Sequence, residues 1–137
     1  MRWYKALTLT MALAVSSVSA EVAVIVHPSN AATLDQAEIA RLFTGRGTTF
    51  NNGNKATALN LAEAAPARAE FDTKVLNKSS SQMKAYWSKL VFTGKGTPPK
   101  ELPSDAEVKA AVAADATAIG YVDAASVDAS VKVVAKF

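Results

Sequence analysis

Short β-branched runs alternate with stretches of helical periodicity, and this alternation constrains the fold more than any other feature of the chain. Val22-Ala23-Val24-Ile25-Val26 reads as a buried strand. His27-Pro28-Ser29-Asn30 ends it, because Pro28 cannot continue a central strand. Thr33 and Gln36 have capping-box spacing, so a helix is expected to open at Thr33. Ile39, Leu42 and Phe43 share its apolar face, and Gly45 stops it. Asn51-Asn52-Gly53-Asn54 is a turn, and Lys55 to Leu61 a second strand.

Pro66 suits the first turn of a second helix, where its missing N–H costs nothing. Ala67, Phe71 and Val75 repeat every four residues behind it. Ser79 with Gln82 opens a third helix, whose face is Met83, Tyr86, Trp87, Leu90 and Val91, and Gly94 closes it. Thr93 to Pro103 holds two glycines and three prolines and reads as a loop. Ser104 with Glu107 opens a fourth helix; Ala118 to Val122 and Val131 to Ala135 are the last strands. The expected order is β-α-β-α-α-α-β-β. Strands separated by helices favour an α/β fold in three layers, a mixed central sheet flanked by helices.

Residues 1–20 are excluded from that reading. Arg2 and Lys5 precede an apolar run from Ala6 to Val15, and Ser16 to Ala20 supplies small residues. This is the layout of a secretory signal peptide, with an apolar run too short for a stable bilayer anchor. The remaining domain, 21–137, is expected to be exported and periplasmic, and no later segment is apolar enough to cross a membrane. Without Arg2 and Lys5 the 15 basic residues become 13, against 12 acidic ones. No clustered basic face points to nucleic acid.

The chain has no cysteine, which excludes disulfides, thiol nucleophiles and cysteine-ligated metals. Its one histidine, His27, lacks a nucleophile elbow around Ser29, so neither a catalytic triad nor a transition-metal site is expected. No phosphate loop of the nucleotide-binding type is present. The chain does not read as an enzyme, and no cofactor is implied. Thr44-Gly45-Arg46-Gly47 and Thr93-Gly94-Lys95-Gly96 are two helix-ending turns with a cation, read first as C-caps. Trp87 is expected to be buried against the sheet. Arg68, one turn into the second helix, sits unfavourably for the helix dipole, which makes it a candidate to bind an anion or pair a carboxylate.

Several of these segments together resemble the small exported phosphate transporter substrate-binding proteins, which are related to one lobe of the periplasmic phosphate-binding protein. The resemblance rests on Val24 to Asn30, Thr33 to Arg46, Glu63 to Phe71, Tyr86 to Pro99 and Ala118 to Val122. It implies the type II periplasmic binding protein lobe as the fold. It also implies a phosphate or other oxyanion held at the start of the second helix, near Ser29, Asn30, Ala65, Ala67 and Arg68. A membrane transporter or sensor is the implied partner.

In that family a Glu-Gly-Ser-Pro-like turn precedes this helix. Here Glu63-Ala64-Ala65-Pro66 stands instead, without the glycine and the hydroxyl. Each charge-assisted bond lost costs about 1.5–3 kcal/mol. One lobe by itself leaves its ligand open to water, so a homodimer or a docked partner is expected to complete a cleft. The alternative is a single-lobe interaction or sensory module that contacts a membrane transporter, porin or sensor and has lost anion binding.

Overall fold

The computed structural model describes residues 21–137, so the leader expected over residues 1–20 lies outside the described residues. Among the described residues, no helix is long and apolar enough to cross a membrane. The elements are β1 (Val22–Val26), α1 (Gln36–Phe43), β2 (Thr57–Leu61), α2 (Pro66–Lys74), α3 (Ser80–Phe92), β3 (Lys100–Leu102), α4 (Asp105–Ala114), β4 (Ala118–Asp123) and β5 (Lys132–Lys136). A short 3-10 turn, Ala124–Ser126, links β4 to β5.

The five strands form one mixed sheet in the order β3-β2-β4-β1-β5. β2 runs parallel to β3 and β4, while β1 runs antiparallel to β4 and β5. Every residue of β1 is buried, as its unbroken apolar run requires of a strand flanked on both edges. Gly120 and Tyr121 show how β4 divides the layers, because successive side chains point to opposite faces. On one face α4 crosses so close that a Cβ built at Gly120 would lie 2.7 Å from Val108 Cγ1. On the other, Tyr121 stacks on Phe71 of α2 with ring centroids 3.9 Å apart, and Phe43 of α1 meets Phe71 edge-on at 4.7 Å. Helices thus cover both faces, the three-layer α/β arrangement expected from the alternation.

Local signals place most boundaries. Ser79 accepts from the Gln82 N–H while the Gln82 side chain accepts from the Ser79 N–H, a complete capping box. Gly45 and Gly94 close α1 and α3 at φ +73° and +69°, the left-handed region that glycine enters without strain.

Three expectations are corrected. Asp35, not Thr33, caps α1, its carboxylate accepting from the Glu38 N–H at 2.8 Å. The expected loop contains β3, a polar edge strand too short and too poor in β-branched residues to register in a hydrophobic pattern. Trp87 is buried, but its ring edge rests on two glycine turns, with a Cβ built at Gly45 falling 2.9 Å and one at Gly96 3.4 Å from it. The two Thr-Gly-cation-Gly turns therefore meet around one indole. Tyr86 secures the junction by donating to the Thr44 carbonyl at 2.6 Å.

Candidate functional site

β2, β3 and β4 run in the same direction, so the loops leaving their C-terminal ends cluster together. The loop after β2 leads into α2, the loop after β3 into α4, and β4 ends at Asp123. A cleft of about 610 Å³ opens there, lined by Ala62, Ala64 to Ala67, Pro103 to Asp105, Asp123, Ala125 and Ser126. Two helix N-termini face it, and they differ.

The start of α4 is saturated. The Ser104 hydroxyl accepts from the Glu107 N–H at 3.3 Å, and Asp105 and Glu107 occupy the first turn. Asp105 Oδ2 also accepts from the Asp123 N–H at 3.1 Å and the Ser126 hydroxyl at 2.7 Å. The start of α2 is bare. Its N-cap, Ala65, has no side chain able to cap, and no acidic residue lies in the first turn. Pro66 carries no N–H, and the Ala67 N–H makes no hydrogen bond among the described residues. The positive end of the α2 dipole therefore faces the cleft uncompensated. Ala65 is half-buried and Ala67 buried, both at the cleft wall.

Arg68 does not face this cleft. It is buried, and two of its guanidinium nitrogens are committed: Nε to Asp72 Oδ2 at 3.2 Å, Nη1 to the Leu61 carbonyl at 2.7 Å and to Glu101 Oε1 at 3.1 Å. Burial pulls the Arg68 pKa down, but Glu101, Tyr121 and Asp72 outweigh it and hold the cation above its ordinary value. Burial pushes the Asp72 carboxyl up, against the opposing pull of Arg68 and the Ser80 hydroxyl. Of the two roles open to Arg68 in the sequence, pairing a carboxylate is the one that Nε and Nη1 perform. It ties α2 to β2 and β3.

Ser29 and Asn30 lie at the other end of the sheet. Val26 pairs with Ile119 at the start of β4, whereas Ala65 follows Leu61 at the end of β2. A five-residue strand spans about 16 Å, so the two groups cannot share one small anion. Ser29 is held by His27 instead: its hydroxyl sits 2.7 Å and its N–H 3.1 Å from Nδ1. Asn30 Oδ1 accepts from the Ala32 N–H at 2.9 Å, and its carbonyl accepts from Lys132 at 3.0 Å. Both residues build the turn after β1. Of the five expected ligand residues, only Ala65 and Ala67 line the α2 cleft. Asp105, Asp123 and Ser126 join it from elements whose meeting no sequence spacing reveals. Among the described residues, no group of three or more His, Asp or Glu side chains is placed to hold a metal ion.

The fold recurs in solved structures. An ABC-type phosphate transport receptor from Vibrio cholerae superposes with a TM-score of 0.65 at 20% identity, over 84% of this chain and 46% of that one. The fold is that of a phosphate-binding-protein lobe. PstS from Borrelia burgdorferi matches with a TM-score of 0.61 at 14% identity, over 85% of this chain and 47% of its own. The chain thus spans about half the length of the solved structures it matches, and at these identities the likeness is one of fold. No protein-family model matches the sequence, and neither does any curated protein.

Proposed function

We propose that the chain is an exported oxyanion-binding protein, with phosphate as the first candidate ligand, and that the anion sits at the bare start of α2. The observation that carries this reading is the uncapped helix end at Ala65, with its free Ala67 N–H, opening on a cleft. Backbone donors and dipole converge on an anion at such an end. The lobe's likeness to a phosphate transport receptor supports the same ligand. Asp105 and Asp123 on the opposite wall favour an oxyanion that still carries a proton, because a carboxylate accepts a hydrogen bond from monohydrogen phosphate and repels fully ionised sulfate. In this reading the protein acts in the periplasm beside a membrane transporter or sensor. That partner, or a second copy of the chain, supplies the opposing wall.

Calorimetric titration with phosphate and sulfate tests the proposal. Phosphate is expected to release heat with a dissociation constant of about a millimolar or tighter, and sulfate to bind about tenfold more weakly. Ala65→Asp places a fixed anion at the same helix end; it should keep the fold and abolish phosphate binding. Absence of heat at millimolar phosphate overturns the reading.

A second reading draws on a different observation: Arg68, the one cation on α2 near its start, is locked into the fold. In that reading the lobe is an interaction or sensory module that contacts a membrane transporter, porin or sensor and binds no small anion. It predicts no heat with phosphate, and retention of such a membrane protein from solubilised envelope by the wild-type chain and the Ala65→Asp variant alike.

A further inference from the structure

Side chains with unused hydrogen-bond donors meet at a second cavity, which shares no lining residue with the α2 cleft. It lies between α3 and the segment Pro98 to Glu101, and has a volume of about 460 Å³. Asn60, Arg68 and Trp87 line it, and each is more than nine-tenths buried. Asn60 Oδ1 is occupied, accepting from the Leu61 N–H at 3.0 Å and from the Tyr121 hydroxyl. That pairing fixes the amide's orientation and leaves Nδ2 without a partner. Arg68 commits Nε and Nη1 to Asp72, the Leu61 carbonyl and Glu101, which leaves Nη2. Trp87 Nε1 is the one buried side-chain polar atom among the described residues with no hydrogen bond. That nitrogen is closed to solvent, so it reports on the cavity wall and is not among the donors open to a ligand.

The rim adds charge and the wall adds apolar surface. Lys84 lines the cavity and makes no ion pair among the described residues. Glu101, the carboxylate on the wall, is engaged by Arg68. Val91, Phe92, Pro98 and Pro99 form the apolar side. Phe92 is 92% exposed and Val91 53%, and these are the exposed large hydrophobic residues among the described residues. Donors at one end and a waiting apolar wall at the other match a ligand with an acidic head and a greasy body. The volume lies within the range of small-molecule sites.

We infer that this cavity binds an amphipathic monocarboxylate. The carboxylate meets Asn60 Nδ2, Arg68 Nη2 and Lys84, and an apolar chain or ring runs along Val91, Phe92, Pro98 and Pro99. The inference is independent of phosphate binding at α2.

The test is a titration of the full, isotopically labelled chain with octanoate, read at the Trp87 indole N–H resonance, which is identified by its loss in Trp87→Phe. Octanol supplies the tail without the charge, and acetate the charge without the tail. Octanoate is expected to shift the resonance saturably, with octanol and acetate at least about tenfold weaker. Lys84 and Phe92 are exposed, so Lys84→Ala and Phe92→Ser keep the fold; each is expected to weaken octanoate about fivefold or more. Millimolar phosphate should leave the octanoate curve unchanged. No saturable shift at about 10 mM octanoate, equal binding of octanol, or wild-type affinity in both surface variants overturns the inference.

Discussion

Arg68 and Asp72 form an ion pair one turn apart on α2, Nε to Oδ2 at 3.2 Å, with side-chain exposures of 8% and 1%. Charges removed from water this far persist only when paired and hydrogen-bonded, and Leu61, Glu101 and Ser80 complete that requirement. A residue expected to meet an anion at the start of α2 is thereby a joint of the fold.

Arg68→Leu leaves the Asp72 carboxylate buried without a cation, with the Ser80 hydroxyl as its remaining side-chain donor. The expected loss is about 3–5 kcal/mol in urea unfolding. The double variant with Asp72→Leu should recover most of it, since two apolar side chains replace the pair without an orphaned charge. A single-variant loss below about 1 kcal/mol would mean that the pair is solvated.

Gly120→Ala is expected to destabilise the chain by about 1–3 kcal/mol, because the new methyl group would fall 2.7 Å from Val108 Cγ1. Combining it with Val108→Ala opens the space, so the two losses should add to less than their sum. Thermal melts of the four proteins in the cycle measure this.

Ala65→Ser restores a hydroxyl at the N-cap of α2, whose backbone is already extended at φ −72° and ψ 129°. Stability is expected to rise by about 0.5–2 kcal/mol, the usual effect of a capping side chain. An unchanged melting temperature would show that the bare end is already satisfied.

The Ser130 hydroxyl and N–H, followed by Lys109, hold the Asp128 carboxyl down at about 2, below its ordinary 3.8. Between those values the unfolded chain binds more protons than the folded one. Stability from this group is therefore complete above about pH 4 and declines as the pH falls toward 2. Asp128→Asn should flatten the acid limb of the stability curve in that window and leave its slope near neutral pH unchanged. Parallel limbs for the two proteins would contradict this.

Elements set by neighbouring residues were legible in the chain. The Ser79–Gln82 box, Pro66 at a helix start and the glycines closing α1 and α3 act over four residues or fewer, and each stands where expected. α1 opened two residues late because Asp35 and Glu38 offered a competing start. β3 was invisible because Lys100-Glu101-Leu102 owes its conformation to pairing with Leu59-Asn60-Leu61, not to its own pattern. Arg68 carried a signal that was available: Asp72 stands four residues on, the spacing of a helical ion pair.

The linear chain was enough to establish an α/β layering and the bare start of α2, because periodicity and capping are properties of adjacent residues. Which residues share a site was decided by strand direction. β1 runs against β2 and β4, and that reversal carries Ser29 and Asn30 to the far end of the sheet while Asp105, Asp123 and Ser126 arrive beside Ala65. Strand order and polarity depend on burying both faces of one sheet at once, a condition that no local stretch of sequence contains.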